Sequence, residues 1–304
     1  MLNNPKAILI TGAGGLLGNE LINQLLTHNH FNVIALTSNI STLSLKYKDI
    51  IVLKKDFLGN ENFPWHKIDS IIHCAFSRSE DAKEVSDSLD FTNYLLNNAE
   101  KNNVKKIINI SSRSVYGLKK IPLWTEKDEV YPDSLYSLAK YSSEILLNNI
   151  LEKNKNIFGT NIRLASLIGE KYEQRITNKF IENALIKKHI KIVGGTQQFE
   201  YLDIRDAASG IISLLKTDTK HWKPLYNLGS NKFFKIKEIA ELIIKILKNY
   251  SYNNIKLEIE EKDINLKIGM NSNLFYKDIN WAPKYSFEET LDFIIQFYLK
   301  KFNY

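Results

Sequence analysis

Short apolar runs alternate with stretches of helical spacing through the first half of the chain. A short continuous apolar run is typical of a strand buried on both faces. The runs predict strands at 7–10, 33–36, 50–53, 68–75 and 106–110, and helical spacing predicts helices from residue 16, over 85–103 and over 134–150. This alternation predicts an α/β fold with a doubly wound parallel sheet.

The order of elements loosens after Arg163. The pattern there predicts strands at 190–193, 201–204 and 225–228, and helices at 177–188, 206–215 with Asp206 as the cap, 236–247 and 287–302. We therefore predict two domains. The first comprises 1–165 together with 201–230, a later segment that returns to it. The second is a smaller C-terminal mixed α/β domain that binds substrate and comprises 166–200 and 231–304.

A glycine-rich turn stands between the first strand and the first helix. It reads TGAGGLLG, and its candidate cofactor contacts are Gly12, Gly14, Gly15, Leu16, Leu17 and Gly18. Strand, glycine turn and helix in this order predict a Rossmann-type dinucleotide-binding unit, in which Gly12 makes the turn, Gly15 admits a pyrophosphate and Gly18 allows close packing. Amides at the helix N-terminus then hold the anion. The alternative is a glycine-rich turn without a ligand.

The second predicted strand ends in Thr37 and Ser38, without the acidic residue that grips the ribose 2′-hydroxyl of NAD. Small hydroxyl groups at this place accept a 2′-phosphate or leave the ribose to water. The expected cofactor is therefore NAD or NADP, and Thr37 and Ser38 favour NADP slightly.

Composition narrows the classes of function. Hydrophobic residues make up 44% of the chain and charged residues 25%, as in ordinary globular proteins. No apolar run approaches the roughly 18 residues that span a bilayer, and the single cysteine, Cys74, excludes an internal disulfide. We therefore expect a cytoplasmic protein without a membrane partner. The net charge of +7 is spread over mixed Lys and Glu, so we expect no nucleic-acid partner, and no motif indicates a metal site.

Three residues carry candidate chemistry. Tyr136 and Lys140 stand four positions apart on a predicted helix, so both project from one face into one pocket. A tyrosine hydroxyl is a weak base near neutral pH, and a neighbouring ammonium favours its ionised form. Lys140 also suits the ribose hydroxyls of a nicotinamide cofactor. Ser112 follows the fifth strand, and reactive groups of a parallel sheet gather at the carboxyl ends of its strands. The alternative for the pair is an aromatic ring packed on a lysine stem.

These motifs occur in a recognisable order: TGxxGxxG, then HCA at 73–75, SSRSVYG at 111–117 and Tyr136 with Lys140. Over nearly its whole length the chain resembles the NAD-dependent epimerase/dehydratase family, the extended short-chain dehydrogenase/reductases that act mainly on nucleotide-activated sugars. The resemblance implies that Ser112, Tyr136 and Lys140 are catalytic and that Ser112 binds the substrate oxygen. It implies further cofactor contacts at Asp56, Phe57, Cys74 and Ala75, and a homodimer formed by the helices at 82–103 and 136–153.

The departures from the family pattern concern three places. The 4,6-dehydratases carry Thr-Asp-Glu before Val-Tyr-Gly, whereas this chain has SRS at 112–114 and lacks both acids, so a 4,6-dehydratase is not expected. Ser166 replaces the usual Asn after the sixth strand. Phe199 replaces the Arg that holds the nucleotide diphosphate in many epimerases, and the candidates to substitute for it are Arg175, Arg205 and Lys277.

The resemblance implies NAD(P)-dependent hydride transfer on a nucleotide-activated sugar. We expect an epimerase of the C4 type, in which Tyr136 takes a hydroxyl proton, the keto-sugar turns over and hydride returns to its other face. The alternative is an NADPH-dependent reductase of a nucleotide keto-sugar, which Thr37 and Ser38 make more plausible. A non-catalytic NAD(P)-binding regulatory protein is a third possibility, against which the complete set of catalytic residues argues.

Overall fold

A computed structural model describes residues 6–27, 31–118 and 123–302. The strands are β1 Ala7–Thr11, β2 Asn32–Thr37, β3 Ile51–Lys54, β4 Ile68–His73, β5 Lys106–Ser112, β6 Phe158–Leu164, β7 Ser166–Ile168, β8 His189–Val193, β9 Gln198–Asp203, β10 Leu225–Leu228, β11 Phe233–Lys235, β12 Lys256–Glu260 and β13 Lys267–Ile268. The helices are α1 Leu16–Thr27, α2 Ile40–Lys46, α3 Ala82–Lys101, α4 Leu135–Lys153, α5 Ile176–Lys187, α6 Ile204–Lys216, α7 Ile236–Asn249, α8 Asn273–Ile279 and α9 Phe287–Lys301.

Seven strands form one parallel sheet in the order β10-β6-β5-β4-β1-β2-β3. The strand order reverses between β1 and β4, where connections lead to opposite halves of the sheet. In such sheets ligands bind outside the carboxyl ends of the strands at this switch point. The predicted doubly wound Rossmann-type fold is confirmed, and the fold places the glycine turn after β1 beside the residues that follow β4.

A smaller mixed sheet carries the other elements. Its path is β11-β9-β13, with β7 also paired to β9, and a separate parallel pair joins β12 to β8. The apolar faces of α5, α7 and α9 pack into one core beside these strands. The chain crosses from β9 into α6 and returns through β10 to the large sheet, so 201–203 pair in the smaller sheet while 225–228 pair in the larger one. The domain boundaries given above stay a prediction.

The sequence pattern misses several short elements and misplaces one cap. The strands β7, β11, β12 and β13 and the helices α2 and α8 are too short to show a period. The prediction that Asp206 caps the sixth helix is wrong, because that helix begins at Ile204 and the Asp203 carboxylate accepts the Arg205 amide at 2.7 Å. Asp206 instead accepts the backbone amides of Lys284 and Tyr285 at 2.9 and 3.0 Å.

Candidate active site

The glycine turn is packed closely against the segment that follows β4. Gly12 has a φ of +65°, and a Cβ there would lie 2.7 Å from the Ala75 nitrogen. A Cβ on Gly18 would collide with the Gly12 carbonyl and lie 2.8 Å from the Ala13 Cα. Gly15 differs, since its Cβ would meet only the Gly12 carbonyl oxygen, at 3.1 Å. Gly12 and Gly18 are therefore required by the packing of the chain itself, whereas Gly15 has room on its outer side.

The outer side of Gly15 opens into two adjoining cavities of about 810 and 510 Å³, which share Gly12, Gly15 and Phe76 as walls. The larger cavity brings together the predicted residues Leu16, Leu17, Gly18, Cys74, Ser112, Tyr136 and Lys140. The smaller cavity brings together Gly14, Thr37, Ser38 and Ala75. The N–H groups of Leu16 and Leu17 lie in the first turn of α1, where the helix offers them no partner, so they suit an anion. The turn therefore fits a dinucleotide.

Two predicted cofactor contacts lie outside the walls of both cavities. Asp56 pairs with Lys54 at 3.2 Å on the exposed surface, and the Phe57 ring packs 6.3 Å from that of Phe63. Both belong to a 3-10 turn, Lys55–Gly59, in which successive side chains point in different directions. Lys55 is the residue of this turn that lines the smaller cavity, with its Nζ 4.8 Å from the centre of the Phe91 ring. The cofactor role of Asp56 and Phe57 stays a prediction.

Tyr136 and Lys140 lie on one face of α4, whose N-terminus is fixed by a capping box between Ser134 and Ser137. Lys140 is 4% exposed, and its Nζ donates to the Ile110 carbonyl at 2.7 Å. The ring of Phe76 connects the pair. It lies 4.1 Å from the Lys140 ammonium and packs edge-on against the Tyr136 ring at 6.2 Å. The sequence motifs do not single out Phe76.

The Lys140 ammonium is destabilised in this position. Burial lowers its pKa to about 7, and the nearby positive charge of Arg78 acts in the same direction, partly opposed by Cys74 and Glu144. Bound anionic groups would therefore raise the pKa of Lys140 and favour its ammonium form, which is the form that donates to a ribose hydroxyl or stabilises a tyrosinate.

We expect a pH-dependent stability from this lysine. The unfolded chain keeps the Lys140 proton up to about pH 10.5, whereas the folded chain releases it at about pH 7, so folding becomes more favourable as pH rises between these values. The gain is on the order of 2 kcal/mol between about pH 7 and pH 9. Urea unfolding of cofactor-free wild type and Lys140→Met at both pH values measures it. The wild type gains stability relative to the variant; equal pH slopes would contradict the prediction.

Ser112 is the N-cap of a 3-10 turn, Arg113–Tyr116, at the carboxyl end of β5. Its Oγ accepts from the amide and from the hydroxyl of Ser114 at 3.2 and 3.0 Å. Ser111 is buried, and its hydroxyl donates to the Glu144 carboxylate. The hydroxyls of Ser111 and Ser114 thus donate hydrogen bonds to other residues of the protein. The Ser112 hydroxyl accepts in both of its contacts, so it can still donate to a ligand in the larger cavity.

A buried ion pair holds the end of β5 from behind. Arg163 donates to both carboxylate oxygens of Glu144, at 3.0 and 2.7 Å, and its guanidinium lies 4.6 Å from the centre of the Tyr116 ring. Because the same carboxylate accepts from Ser111, the pair fixes the strand just before Ser112. His73 also serves the structure: its ring contacts the Thr11 and Thr92 hydroxyls at 2.7 and 2.9 Å, and burial lowers its pKa to about 3.

Phe199 stacks on Tyr201 at 6.2 Å. Of the three residues named as candidates to hold a diphosphate in its place, Arg175 lines the larger cavity. Arg205 is bound to Asp203 through two hydrogen bonds of 2.9 and 2.6 Å, and Lys277 lies exposed on α8.

Two further arginines, Arg78 and Arg113, line the same cavity. The sequence motifs do not single out either residue, because position 113 is marked only by the lack of the family's acid and Arg78 belongs to no motif. Among the residues in the described ranges, no group of His, Cys, Asp and Glu is arranged to hold a metal, and no helix there is long and apolar enough to cross a membrane.

Comparison with known proteins gives a consistent result. The family model described as "NAD dependent epimerase/dehydratase family" matches residues 8–229. A trifunctional UDP-glucose 4,6-dehydratase/3,5-epimerase/reductase of Arabidopsis thaliana is 24% identical over 97% of this chain, which spans about half (47%) of that protein's length.

Two solved structures share the fold with TM-scores of 0.82. UDP-glucose 4-epimerase of Thermotoga maritima is 20% identical and matches 97% of this chain and 99% of its own. dTDP-glucose 4,6-dehydratase of Bacillus anthracis, in complex with NAD, is 22% identical and matches 97% of each chain.

Proposed function

The chain belongs to the NAD-dependent epimerase/dehydratase family, and on this premise we propose that it is an enzyme that epimerises a nucleotide-activated sugar through a transient keto form. NAD-dependent modification of a nucleotide sugar is common to the relatives, which include epimerases and dehydratases. The observation that carries the epimerase proposal is the absence of an acid beside Ser112, where Arg113 stands in the cavity wall instead.

The cofactor-holding residues follow from the geometry of the glycine turn. The amides of Leu16 and Leu17 would bind the pyrophosphate at the open side of Gly15, and Lys140 would bind the ribose next to the nicotinamide. A bound nicotinamide supplies reversible hydride exchange with a sugar carbon.

The protein's own part in the reaction is proton transfer. Tyr136 accepts the proton of the reacting hydroxyl and later returns one, while the Lys140 ammonium stabilises the ionised tyrosine. Ser112 donates a hydrogen bond to the same substrate oxygen, since its hydroxyl faces the cavity and its lone pairs are engaged by Ser114. Phe76 covers both the tyrosine and the lysine and limits the access of water to them.

Elimination of water requires an acid near the reacting carbons. The acidic residues in the wall of the larger cavity are Glu80 and Glu173, and both are exposed. Glu80 accepts the Leu135 amide at 3.1 Å, and Glu173 pairs with Lys301 at 2.8 Å. Neither belongs to the turn that carries Ser112, so epimerisation is favoured over dehydration.

A second candidate function is net reduction of a nucleotide keto-sugar with NADPH. It is supported by the smaller cavity, where Thr37 and Ser38 stand in place of an acid and Lys55 adds a cation that suits a 2′-phosphate.

Product analysis distinguishes the candidates. The purified protein is incubated with UDP-, dTDP- and GDP-hexoses without added reductant, and products are identified by nuclear magnetic resonance. The proposal predicts an epimer of unchanged mass formed with tightly held NAD. A product lighter by one water would establish a dehydratase. A parallel incubation with nucleotide keto-sugars and NADPH tests the second candidate, and turnover in that incubation alone, with consumption of NADPH, would establish the reductase.

We also propose a homodimer through α3 and α4, which pack side by side. Large apolar side chains on these helices are exposed, namely Tyr94, Leu135, Leu138 and Ile145. Their burial in a second copy would stabilise association by roughly 25 cal/mol for each Å² of apolar surface. Light scattering of the wild type at micromolar concentration is expected to give twice the 35.2 kDa chain mass, and a wild-type mass of one chain would contradict the dimer. The variant Leu138→Glu is expected to be a monomer.

A further inference from the structure

Three guanidinium groups meet in the larger cavity, from three separate segments of the chain. Arg78 follows β4, Arg113 follows β5 and Arg175 precedes α5. The guanidinium groups of Arg78 and Arg175 lie 5.6 and 5.8 Å from the centre of the Tyr172 ring. The Arg175 Nε donates to the Leu167 carbonyl at 3.0 Å, which fixes that guanidinium and leaves its terminal nitrogens for a ligand.

These cations lack counter-charges. Within the described ranges no carboxylate oxygen lies within the 4.0 Å ion-pair distance of any of the three. The buried Glu200 acts electrostatically on Arg113, but its carboxylate oxygens accept the backbone amides of Asn231 and Met270, both at 2.8 Å. Burial and the charge of Arg175 together lower the pKa of Arg113 to about 10, and burial and Arg78 lower the pKa of Arg175. The cavity is therefore built for an anion.

The three arginines differ in burial, since Arg78 is exposed to water whereas Arg113 and Arg175 are partly buried. A diphosphate bridge carries about two negative charges, one for each phosphate, which Arg78 and Arg175 can match. Arg113 would then face uncharged sugar hydroxyls, which compensate a guanidinium poorly. Arg113 is the arginine at the sugar end, because it lines the cavity together with Ser112, whereas Arg78 and Arg175 both lie near the Tyr172 ring.

We propose that the sugar of the substrate carries a carboxylate and that Arg113 binds it, while Arg78 and Arg175 hold the diphosphate. This inference rests on the proposed function, since it concerns the substrate of the same site. A planar guanidinium can bind a carboxylate through two parallel hydrogen bonds, which a lysine cannot reproduce.

Matched ligand pairs test the proposal. UDP-glucuronate and UDP-glucose are titrated calorimetrically into NAD-loaded protein, and GDP-mannuronate and GDP-mannose are titrated in the same way to allow for the other base. Because hydrogen bonds to charged groups contribute about 1.5–3 kcal/mol, the acidic sugar is expected to bind at least about tenfold more tightly than its neutral counterpart. Arg113→Gln is expected to abolish that preference without weakening binding of the free nucleoside diphosphate. Arg113→Lys is expected to retain part of it.

Each contrary outcome identifies what is wrong. Equal affinity for acidic and neutral sugars in the wild type would overturn the carboxylate proposal and leave the epimerase intact. So would an Arg113→Gln variant that loses affinity for the nucleoside diphosphate itself, because Arg113 would then hold phosphate. If neither pair binds to NAD-loaded protein, the nucleotide-sugar function itself fails, and this inference fails with it. Retained NAD affinity in each variant confirms that it is folded.

Discussion

Tyr136→Phe is expected to abolish nearly all turnover while the protein keeps its fold and its cofactor. The ring packs edge-on against Phe76, a contact that phenylalanine preserves, and within the described ranges the hydroxyl makes no hydrogen bond whose loss would weaken folding. The change removes the group proposed to exchange a proton with the sugar hydroxyl. General acid–base catalysis contributes about 100- to 10,000-fold, so the rate is expected to fall by at least that range.

The measurement is turnover of the active nucleotide sugar by Tyr136→Phe after bound NAD has been confirmed. Two other variants separate the roles. Lys140→Met is expected to lose both rate and cofactor affinity, because Lys140 is proposed to contact ribose as well as tyrosine. Ser112→Ala is expected to lose rate alone. Activity of Tyr136→Phe within a few-fold of wild type would show that another group moves the proton.

Gly15→Val is expected to abolish cofactor binding in a protein that still folds. The branched side chain would fill the open side of the turn where the pyrophosphate approaches the backbone. Inside the protein the first added carbon meets one atom, the Gly12 carbonyl oxygen at 3.1 Å, and a small shift relieves that contact. Fluorescence titration with NADH and NADPH, together with thermal unfolding of the apoprotein, measures both effects.

Gly18→Ala provides the matched control. Its new Cβ would collide with the Gly12 carbonyl and press on Ala13, so this variant is expected to lose stability before any ligand is added. The two glycines are therefore expected to fail in different ways. Unchanged NADH affinity in Gly15→Val would refute the proposal that the turn holds the pyrophosphate. Equal destabilisation of both variants would show that Gly15, like Gly18, is required for packing.

The large sheet could be predicted because its central strands are continuous apolar runs, and β1, β4 and β5 lead to the long helices α1, α3 and α4, which show a clear period. The convergence of Ser112, Tyr136 and Lys140 on one cavity could be predicted for a related reason: Ser112 ends a strand, and Tyr136 and Lys140 share a helix face. Their catalytic role stays a prediction. In these cases local pattern and tertiary position coincide.

The pattern of apolar and polar residues could not predict features that depend on contacts between distant segments. Arg78, Arg113 and Arg175 meet only after three loops converge, and no spacing in the chain marks them as a group. Asp56 lies outside the walls of both cavities, and the pattern could not show this because it depends on the 3-10 turn that directs its neighbour Lys55 to the smaller cavity. Asp203, not Asp206, caps α6 because β9 runs directly into the helix without a loop.

The protein is proposed to move hydride to and from one sugar carbon and to invert that carbon without releasing its hydrogen to solvent. The most direct test uses the accepted nucleotide sugar with deuterium on every ring carbon of the sugar, incubated with NAD-loaded protein in ordinary water. An epimer that keeps its deuterium at the inverted carbon is expected, because that atom leaves as hydride and returns to the same carbon. Loss of this deuterium to water would contradict the hydride mechanism, because inversion would then proceed through deprotonation of that carbon.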